Sequence, residues 1–257
     1  MFRVVIPARF GSTRLPGKSL KMIGDKPMLQ WVHRAAMAAG AAEVIVATDD
    51  ERILDAARDF GALARMTSLT HPSGTDRIAE VAAAAGWSDG DIVVNLQGDE
   101  PMMPGELVAQ VAALLEHHAQ AALATLATRI TSVAQLLDPG IVKVVTDQEG
   151  RALYFSRAPI PWNRDTAPAS LVSQRSFAGA RRHIGLYAYR VAALRRLSML
   201  PPGQLEQIER LEQLRALENG LEIRVGDAAQ YPGPSVDTEE DLARVRVMMN
   251  RVEAPEA

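Results

Sequence analysis

The sequence predicts an α/β sandwich with a mostly parallel central sheet. Three observations predict it. Short apolar runs alternate with amphipathic helical patterns through the first half of the chain. Their spacing fits right-handed crossovers between parallel strands. Polar and glycine-containing segments fall directly after the apolar runs, and sheets of this kind bind ligands outside the carboxyl ends of their strands.

Taken in order, Val4 to Ile6 reads as a buried strand. Pro27 to Ala39 reads as a helix, with proline in its first turn and Gly40 beyond its end. Glu43 to Ala47 is a second strand, and Asp50 to Phe60 a helix stopped by Gly61. Gly74 to Ala85 is helical up to Gly86. Asp91 to Leu96 is a third strand, followed by a helix over Pro104 to His118. The second half is less regular. Ala121 to Ile130, Val142 to Thr146, Ala152 to Ser156 and His183 to Tyr189 read as strands. Pro159 to Ala180 is an exposed excursion rich in Pro, Asn, Asp, Ser and Ala. Leu205 to Leu217 reads as one strong helix and Leu221 to Val225 as a last strand. A closing helix over Thr238 to Met249 carries Thr238 as N-cap and Asp241 as the partner of a weak capping box.

Composition narrows the function classes. The 257 residues are 47% hydrophobic and 23% charged, an ordinary globular balance with ample core. The net charge of −3 provides no general attraction to nucleic acid or anionic membrane, so basic loops have to act as local sites. The absence of cysteine excludes disulfides, zinc–thiolate sites and thiol nucleophiles. Pro7 and Arg9 interrupt an N-terminal apolar run too short for a signal peptide, and no stretch suits a bilayer span. A cytoplasmic enzyme or binding protein is the expectation.

The richest chemistry lies in Ile6 to Lys18, where Arg9, Arg14 and Lys18 share a loop with Gly11, Ser12, Thr13 and Gly17. Glycines let backbone N–H groups approach anionic oxygens, and fixed cations neutralise them, so the loop suits a polyphosphate. It is not a P-loop. Gly11 and Gly17-Lys18 enclose five residues where that motif has four, and Pro16 fits its nest poorly. Asp99, after Gln97-Gly98, is placed either as a hard ligand for Mg²⁺ or as a turn-forming or N-cap aspartate. Asp237 is either the residue before a helix cap or a second metal ligand. Arg77 lies in the first turn of a helix, where a cation opposes the macrodipole. It therefore meets an anion or base carbonyl, or else forms a surface salt bridge. Arg157, His183 and Tyr187 are polar positions in or beside apolar strands, suited to core, rim or ligand. Glu212-Gln213 read as a solvated helix face, and Trp31, Trp87 and Trp162 as packing residues.

Pro7-Ala8-Arg9, Ser12 to Lys18, Ser73 to Arg77, Asn95 to Pro101, Tyr154 to Arg157, Pro161-Trp162, His183-Ile184-Gly185, Leu211 to Arg215 and Val236-Asp237-Thr238 together resemble the 3-deoxy-manno-octulosonate cytidylyltransferase (CMP-Kdo synthetase) family. The blocks run in order from about residue 3 to 247. Pro72 and Asp76 depart from the pattern in minor ways, and Arg164 to Gly179 does not match closely. The resemblance implies a nucleotide-diphospho-sugar transferase-like (Rossmann-like) sandwich. It implies one cytidylyltransferase domain over residues 1–257, with a dimerisation and sugar-binding excursion near residues 150–190. It further implies a homodimer, Mg²⁺, and the reaction CTP + Kdo → CMP-Kdo + diphosphate, supplying lipopolysaccharide synthesis. By the same resemblance Arg9 and Lys18 hold the triphosphate and, with Asp99, carry catalysis. Pro7, Ala8, Ser73, Thr75, Arg77 and Gln97 lie along the nucleotide. Gln97, Arg157, His183, Tyr187, Glu212 and Gln213 line the sugar pocket, and Asp99 and Asp237 bind the metal. A cytidylyltransferase for another acidic sugar (8-amino-Kdo or a sialic acid) and a non-catalytic sugar-nucleotide sensor are the competing readings.

Overall fold

The computed structural model describes residues 1–12, 14–71, 73–165 and 177–253. Thr13, Pro72 and most of the non-matching stretch from Arg164 to Gly179 therefore lie outside the described residues. The elements are β1 (Phe2–Ala8), a 3₁₀ turn (Lys18–Leu20), a small hairpin of β2 (Met22–Ile23) and β3 (Lys26–Pro27), α1 (Met28–Ala38), β4 (Glu43–Thr48), α2 (Glu51–Asp59), β5 (Leu63–Met66), α3 (Gly74–Ala84), β6 (Ile92–Asn95), α4 (Gly105–His117) and β7 (Leu123–Arg129). Then follow α5 (Val133–Leu137), β8 (Lys143–Thr146), β9 (Ala152–Ser156), β10 (Arg181–Arg190), α6 (Val191–Met199), α7 (Gln204–Glu209), α8 (Gln213–Glu218), β11 (Ile223–Asp227) and α9 (Glu239–Glu253).

The main sheet runs β11-β7-β10-β6-β1-β4-β5. All of these strands point one way except β10, which is antiparallel to both β6 and β7. This is the mostly parallel α/β arrangement that the alternation predicts. Along β1, Val4, Ile6 and Ala8 enter one apolar layer while Val5 enters the other. Helices cover both faces, so the strand reads as a continuous apolar run. One layer packs α1, α2 and α4 on the sheet, and the other packs α3, α6 and α8. β8 and β9 pair with each other beside β10, and residues 166–176 of the excursion expected over Pro159 to Ala180 lie outside the described residues.

A third cluster joins Leu15, Ile23 and Met28 to Val236 and to Leu242, Val245 and Met249 of α9. It fastens the closing helix over the opening loop. Thr238 and Asp241 form the reciprocal cap: Asp241 N–H donates to Thr238 Oγ1 at 3.1 Å, and Thr238 N–H donates to Asp241 Oδ2 at 3.0 Å.

The helix expected from Leu205 to Leu217 is two helices. Arg210 adopts φ 54°, in the left-handed region, and ends α7. Leu211 turns inward to 6% exposure, and Glu212 stands at the N-cap position of α8 without a side-chain cap bond. The physical reason is a side-chain fork across the break. Arg215 donates to both oxygens of Glu206, from Nε at 2.7 Å and from Nη2 at 2.6 Å. In an unbroken helix those residues would stand about 13 Å apart along the axis. β5, α5, α6 and the β2–β3 hairpin match no sequence expectation: β5 is a partly exposed edge strand, and α6 follows β10 with no breaker between them. Trp162 is 43% exposed, so packing does not describe it, whereas Trp87 is buried.

Candidate active site

The carboxyl ends of β1 and β6 open onto two adjoining hollows that share Gln97. The first is a cradle of about 290 Å³ lined by Pro7, Ala8, Arg9, Gly11, Ser12, Lys18, Gly98 and Asp99. Its loop is closed by the Phe10 carbonyl, which accepts from Ser12 N–H and Gly17 N–H, each at 2.9 Å. Gly17 takes φ 66° and starts the 3₁₀ turn that carries Lys18. Pro16-Gly17 thus makes a different turn from a P-loop nest. Gly98 is required by close approach, because a Cβ there would stand 3.0 Å from the Pro7 carbonyl oxygen.

Lys18 Nζ lies at the centre of this end. It donates to Asp99 Oδ2 at 2.5 Å, to Asp237 Oδ1 at 3.1 Å and to the Val236 carbonyl at 3.3 Å. Burial opposes the ammonium charge, but Asp99 and then Asp237 outweigh it and hold its pKa above the ordinary lysine value. Arg14, which the sequence left without a role, reaches the other oxygen of Asp237 at 3.0 Å. Asp237 is both the residue before the α9 cap and a member of the site. Glu100 packs close by. Burial, then the charge of Asp99, push its carboxyl up to about 8, against the pull of Arg182 and Lys18.

Asp99 and Asp237 therefore bring two hard carboxylate oxygens to one cation. Among the described residues no group of three or more His, Asp or Glu gathers as a ready-made metal cage. Two protein carboxylates, with phosphate oxygens and water completing the shell, fit Mg²⁺ better than they fit a metal wanting an all-protein site.

The second hollow, about 360 Å³, lies between β6, β10 and the start of α8. Gln97, His183, Tyr187, Glu212 and Gln213 line it, as do Thr75, Asn95, Arg182 and Tyr189. Burial depresses the His183 imidazole to about 3. Burial also raises Tyr187, Tyr189 and Glu212, although Thr75 and Ser73 pull Glu212 partly back. Tyr187 Oη is buried with no hydrogen-bond partner among the described residues. Glu212 reaches the cleft because the helix breaks before it. There its Oε1 meets Ser73 Oγ at 3.0 Å, so it is not on a solvated face.

Two expected residues lie elsewhere. Arg77 is fully buried and donates to Asp49 Oδ2 at 2.6 Å and to Thr67 Oγ1. It is neither a surface salt bridge nor a group lining the cleft; its charge is neutralised beneath the start of α3, whose N-cap is Ser73. Arg157 is likewise committed. Its Nε donates to the Glu209 carbonyl at 2.7 Å and its Nη1 to the Pro139 carbonyl at 2.9 Å. It braces the wall of the hollow and does not line it. The arginine among the residues lining the hollow is Arg182, whose Nη1 donates to Tyr231 Oη at 3.3 Å. In the sequence Arg182 and Tyr189 read as ordinary strand alternation, and Asn95 stands only as the first residue of the Asn95 to Pro101 block.

Fold and site together define a nucleotidyltransferase: a basic glycine loop, paired carboxylates and a polar hollow at the ends of parallel strands. A cytidylyltransferase family profile matches residues 3–223. The chain is 56% identical to the 3-deoxy-manno-octulosonate cytidylyltransferase of Thioalkalivibrio sulfidiphilus, covering 96% of this chain and 98% of that one. It is 54% identical to the protein of the same name from Halorhodospira halophila, covering 95% of each. A CMP:2-keto-3-deoxy-manno-octonic acid synthetase solved in complex with CTP superposes with a TM-score of 0.88, at 43% identity over 98% of this chain and 100% of that one. A cytidylyltransferase from Leptospira borgpetersenii shares the fold, with a TM-score of 0.60 at 16% identity over 96% of this chain and 86% of that one. The chain belongs to the 3-deoxy-manno-octulosonate cytidylyltransferase family.

Proposed function

We propose that this chain joins CTP to Kdo, releasing diphosphate and forming CMP-Kdo for lipopolysaccharide synthesis. The observation that carries the reading is the convergence of Lys18, Asp99 and Asp237 at the mouth of a glycine-lined cradle. That arrangement suits a polyphosphate and its cation together. The 2-hydroxyl of Kdo attacks the α-phosphorus, and diphosphate leaves. Such displacements need positioning and charge neutralisation more than covalent help. Arg9 and Lys18 stabilise charge on the departing diphosphate. Asp99 and Asp237 would hold Mg²⁺, which supplies charge neutralisation on the phosphates and a lowered pKa at the attacking hydroxyl. Pro7, Ala8, Ser73 and Thr75 shape the nucleotide side. Arg77 supports that side from beneath through its pair with Asp49. Arg182 takes the sugar carboxylate in place of Arg157, and Glu212, Gln213 and Tyr187 take its hydroxyls.

The test is diphosphate release from CTP, with and without Kdo and Mg²⁺. Release is expected only when both are present. Release that ignores added sugar would overturn the transferase reading, and faster turnover with 8-amino-Kdo or a sialic acid would move the substrate. In this reading the enzyme is cytoplasmic and acts as a homodimer; sedimentation of the purified protein checks the dimer. No described helix is long and apolar enough to cross a membrane.

A further inference from the structure

Thr125 lies on β7, fully buried, opposite an irregularity in β10. The register jumps from Ile184↔Leu126 to Tyr187↔Thr125, so β10 holds two residues, Gly185 and Leu186, with no partner on β7. Such a bulge removes carbonyl groups from the ladder and leaves them needing donors. The Thr125 hydroxyl meets this need. Its Oγ1 stands 3.0 Å from the Ile184 carbonyl oxygen and 2.8 Å from that of Leu186. Its third neighbour is His183 Nε2, at 2.9 Å.

A hydroxyl has one proton to give and lone pairs to receive with. Both carbonyl oxygens can only accept, so the Thr125 proton is directed to them. Were Nε2 bare, Thr125 would have to turn its proton to the ring, and two carbonyl oxygens would face a bare hydroxyl oxygen inside hydrogen-bond distance. Nε2 must therefore carry a proton and donate to Oγ1. The ring is also fixed in plane: Phe155 meets it edge-on at 5.0 Å and Tyr187 lies against it at 5.2 Å. Its burial keeps it from gaining a second proton, in line with its depressed pKa. Nδ1 is left as an acceptor.

We propose that Thr125 is a positioning residue that locks His183 as the neutral Nε2–H tautomer, so that His183 accepts a hydrogen bond from a hydroxyl of the sugar and does not pair with its carboxylate. The inference rests on the placement of the sugar in this hollow under the proposed function. It assigns the two kinds of group on an acidic, polyhydroxylated substrate to different residues: the anion to a guanidinium, a hydroxyl to a neutral imidazole. A sugar derivative whose matching hydroxyl is replaced by hydrogen leaves a buried acceptor unpaired, and loss of that kind discriminates strongly.

The test has two arms. In the first, long-range ¹H–¹⁵N spectra of histidine-labelled full-length protein, without substrate, report the tautomer, with His183→Asn used to assign the signal. The expected spectrum shows Nε2 protonated and Nδ1 bare from pH 7.5 to 5. A protonated Nδ1 in that range overturns the proposal, whatever the enzyme's substrate proves to be. In the second, Thr125→Val keeps the shape and removes the hydroxyl, while Thr125→Ser restores it. Thr125→Val is expected to raise KM for Kdo about tenfold, the scale of one lost hydrogen bond, with KM for CTP within about twofold. Thr125→Ser is expected to return both to near wild type. An unchanged KM for Kdo in Thr125→Val, or a Thr125→Ser variant as damaged as the valine, overturns the positioning role. If Thr125→Val does not fold, the wild-type spectrum still decides the tautomer. If no Kdo-dependent turnover exists in the wild type, the proposed function falls while the spectrum still decides the tautomer.

Discussion

At the phosphate end of the cleft, Lys18, Asp99, Asp237 and Arg14 are charged, partly open to solvent and paired with one another. At the sugar end, the hollow is lined by His183, Tyr187, Tyr189 and Glu212, and burial favours the neutral form of each. In the proposed function both ends bind polar groups, but by different means. A polyphosphate brings several charges that must be matched, and the protein keeps matching charges in a network that can be reassigned. A sugar brings many hydroxyls and one carboxylate. Neutral donors and acceptors held in fixed orientation can sort hydroxyls, which free charges in water cannot do. The comparison predicts that charge-removing substitutions act on turnover at one end and on substrate affinity at the other.

The largest effects belong to the phosphate end. Asp99→Asn removes one charge at nearly constant volume and is expected to abolish turnover while leaving the thermal midpoint little changed. Retained Mg²⁺-dependent activity would remove Asp99 from the metal site. Lys18→Ala is expected to lower kcat by about 10²–10³, the scale of losing a charged donor aimed at developing negative charge. Single-turnover kinetics separate this from a pure rise in KM for CTP, which would make Lys18 a ground-state contact only.

These two residues were legible in the sequence because the phosphate end is built from contiguous loops following strands. Ile6 to Lys18 and Gln97 to Asp99 each carry their chemistry within a few residues, and strand–helix alternation places both at the same edge of the sheet. Asp237 was visible only as a candidate, since its approach depends on α9 packing over Leu15, Ile23 and Met28. The sugar end was harder to read. Arg182 and Tyr189 occupy strand positions whose facing depends on the register of β10, and that register is broken. Glu212 looked like a surface residue because nothing local marks the helix break. The cause is the Arg215–Glu206 fork between residues nine positions apart. Arg77 stands out in the sequence as a cation at a helix start and Arg157 as a polar position beside a strand, but sequence does not show that Asp49 lies beneath one and that backbone carbonyls of Glu209 and Pro139 hold the other.

A second, smaller effect sharpens the division at the sugar end. Arg182→Ala is expected to raise KM for Kdo by about 10-fold to 100-fold, the range for a charge-assisted hydrogen bond, with KM for CTP little changed. Arg157→Ala is expected to cost stability, measured as a lower urea midpoint, together with a weaker effect on Kdo. Its guanidinium ties the Pro139 loop to Glu209, and Lys143 braces the same wall by donating to the carbonyls of Asp138, Ile141 and Arg157. A selective and large loss of Kdo affinity in Arg157→Ala, with Arg182→Ala near wild type, would reverse the assignment.

The smallest predicted effect is a pH dependence that separates the two ends without touching substrate. Burial pushes the His183 imidazole down to about 3 in the folded protein, from its ordinary value of 6.5. Between those values the unfolded chain binds the extra proton, so stability rises with pH. The contribution of neutral His183 is fully present above about 6.5 and is lost progressively as pH falls toward 3. Lys18, held above its ordinary value, keeps its charge throughout this range, and its contribution is lost only at alkaline pH. Acidification from pH 7.5 to 5 should therefore loosen the sugar end first. The wild type is expected to lose at most about 2 kcal/mol more stability over that interval than His183→Gln, from roughly 1.4 kcal/mol per pH unit below the unfolded pKa. Urea denaturation of both proteins at matched pH values measures the difference. Parallel curves would mean that His183 is already hydrated enough to accept a proton, and the contrast between a charged end and a neutral end would lose its physical basis.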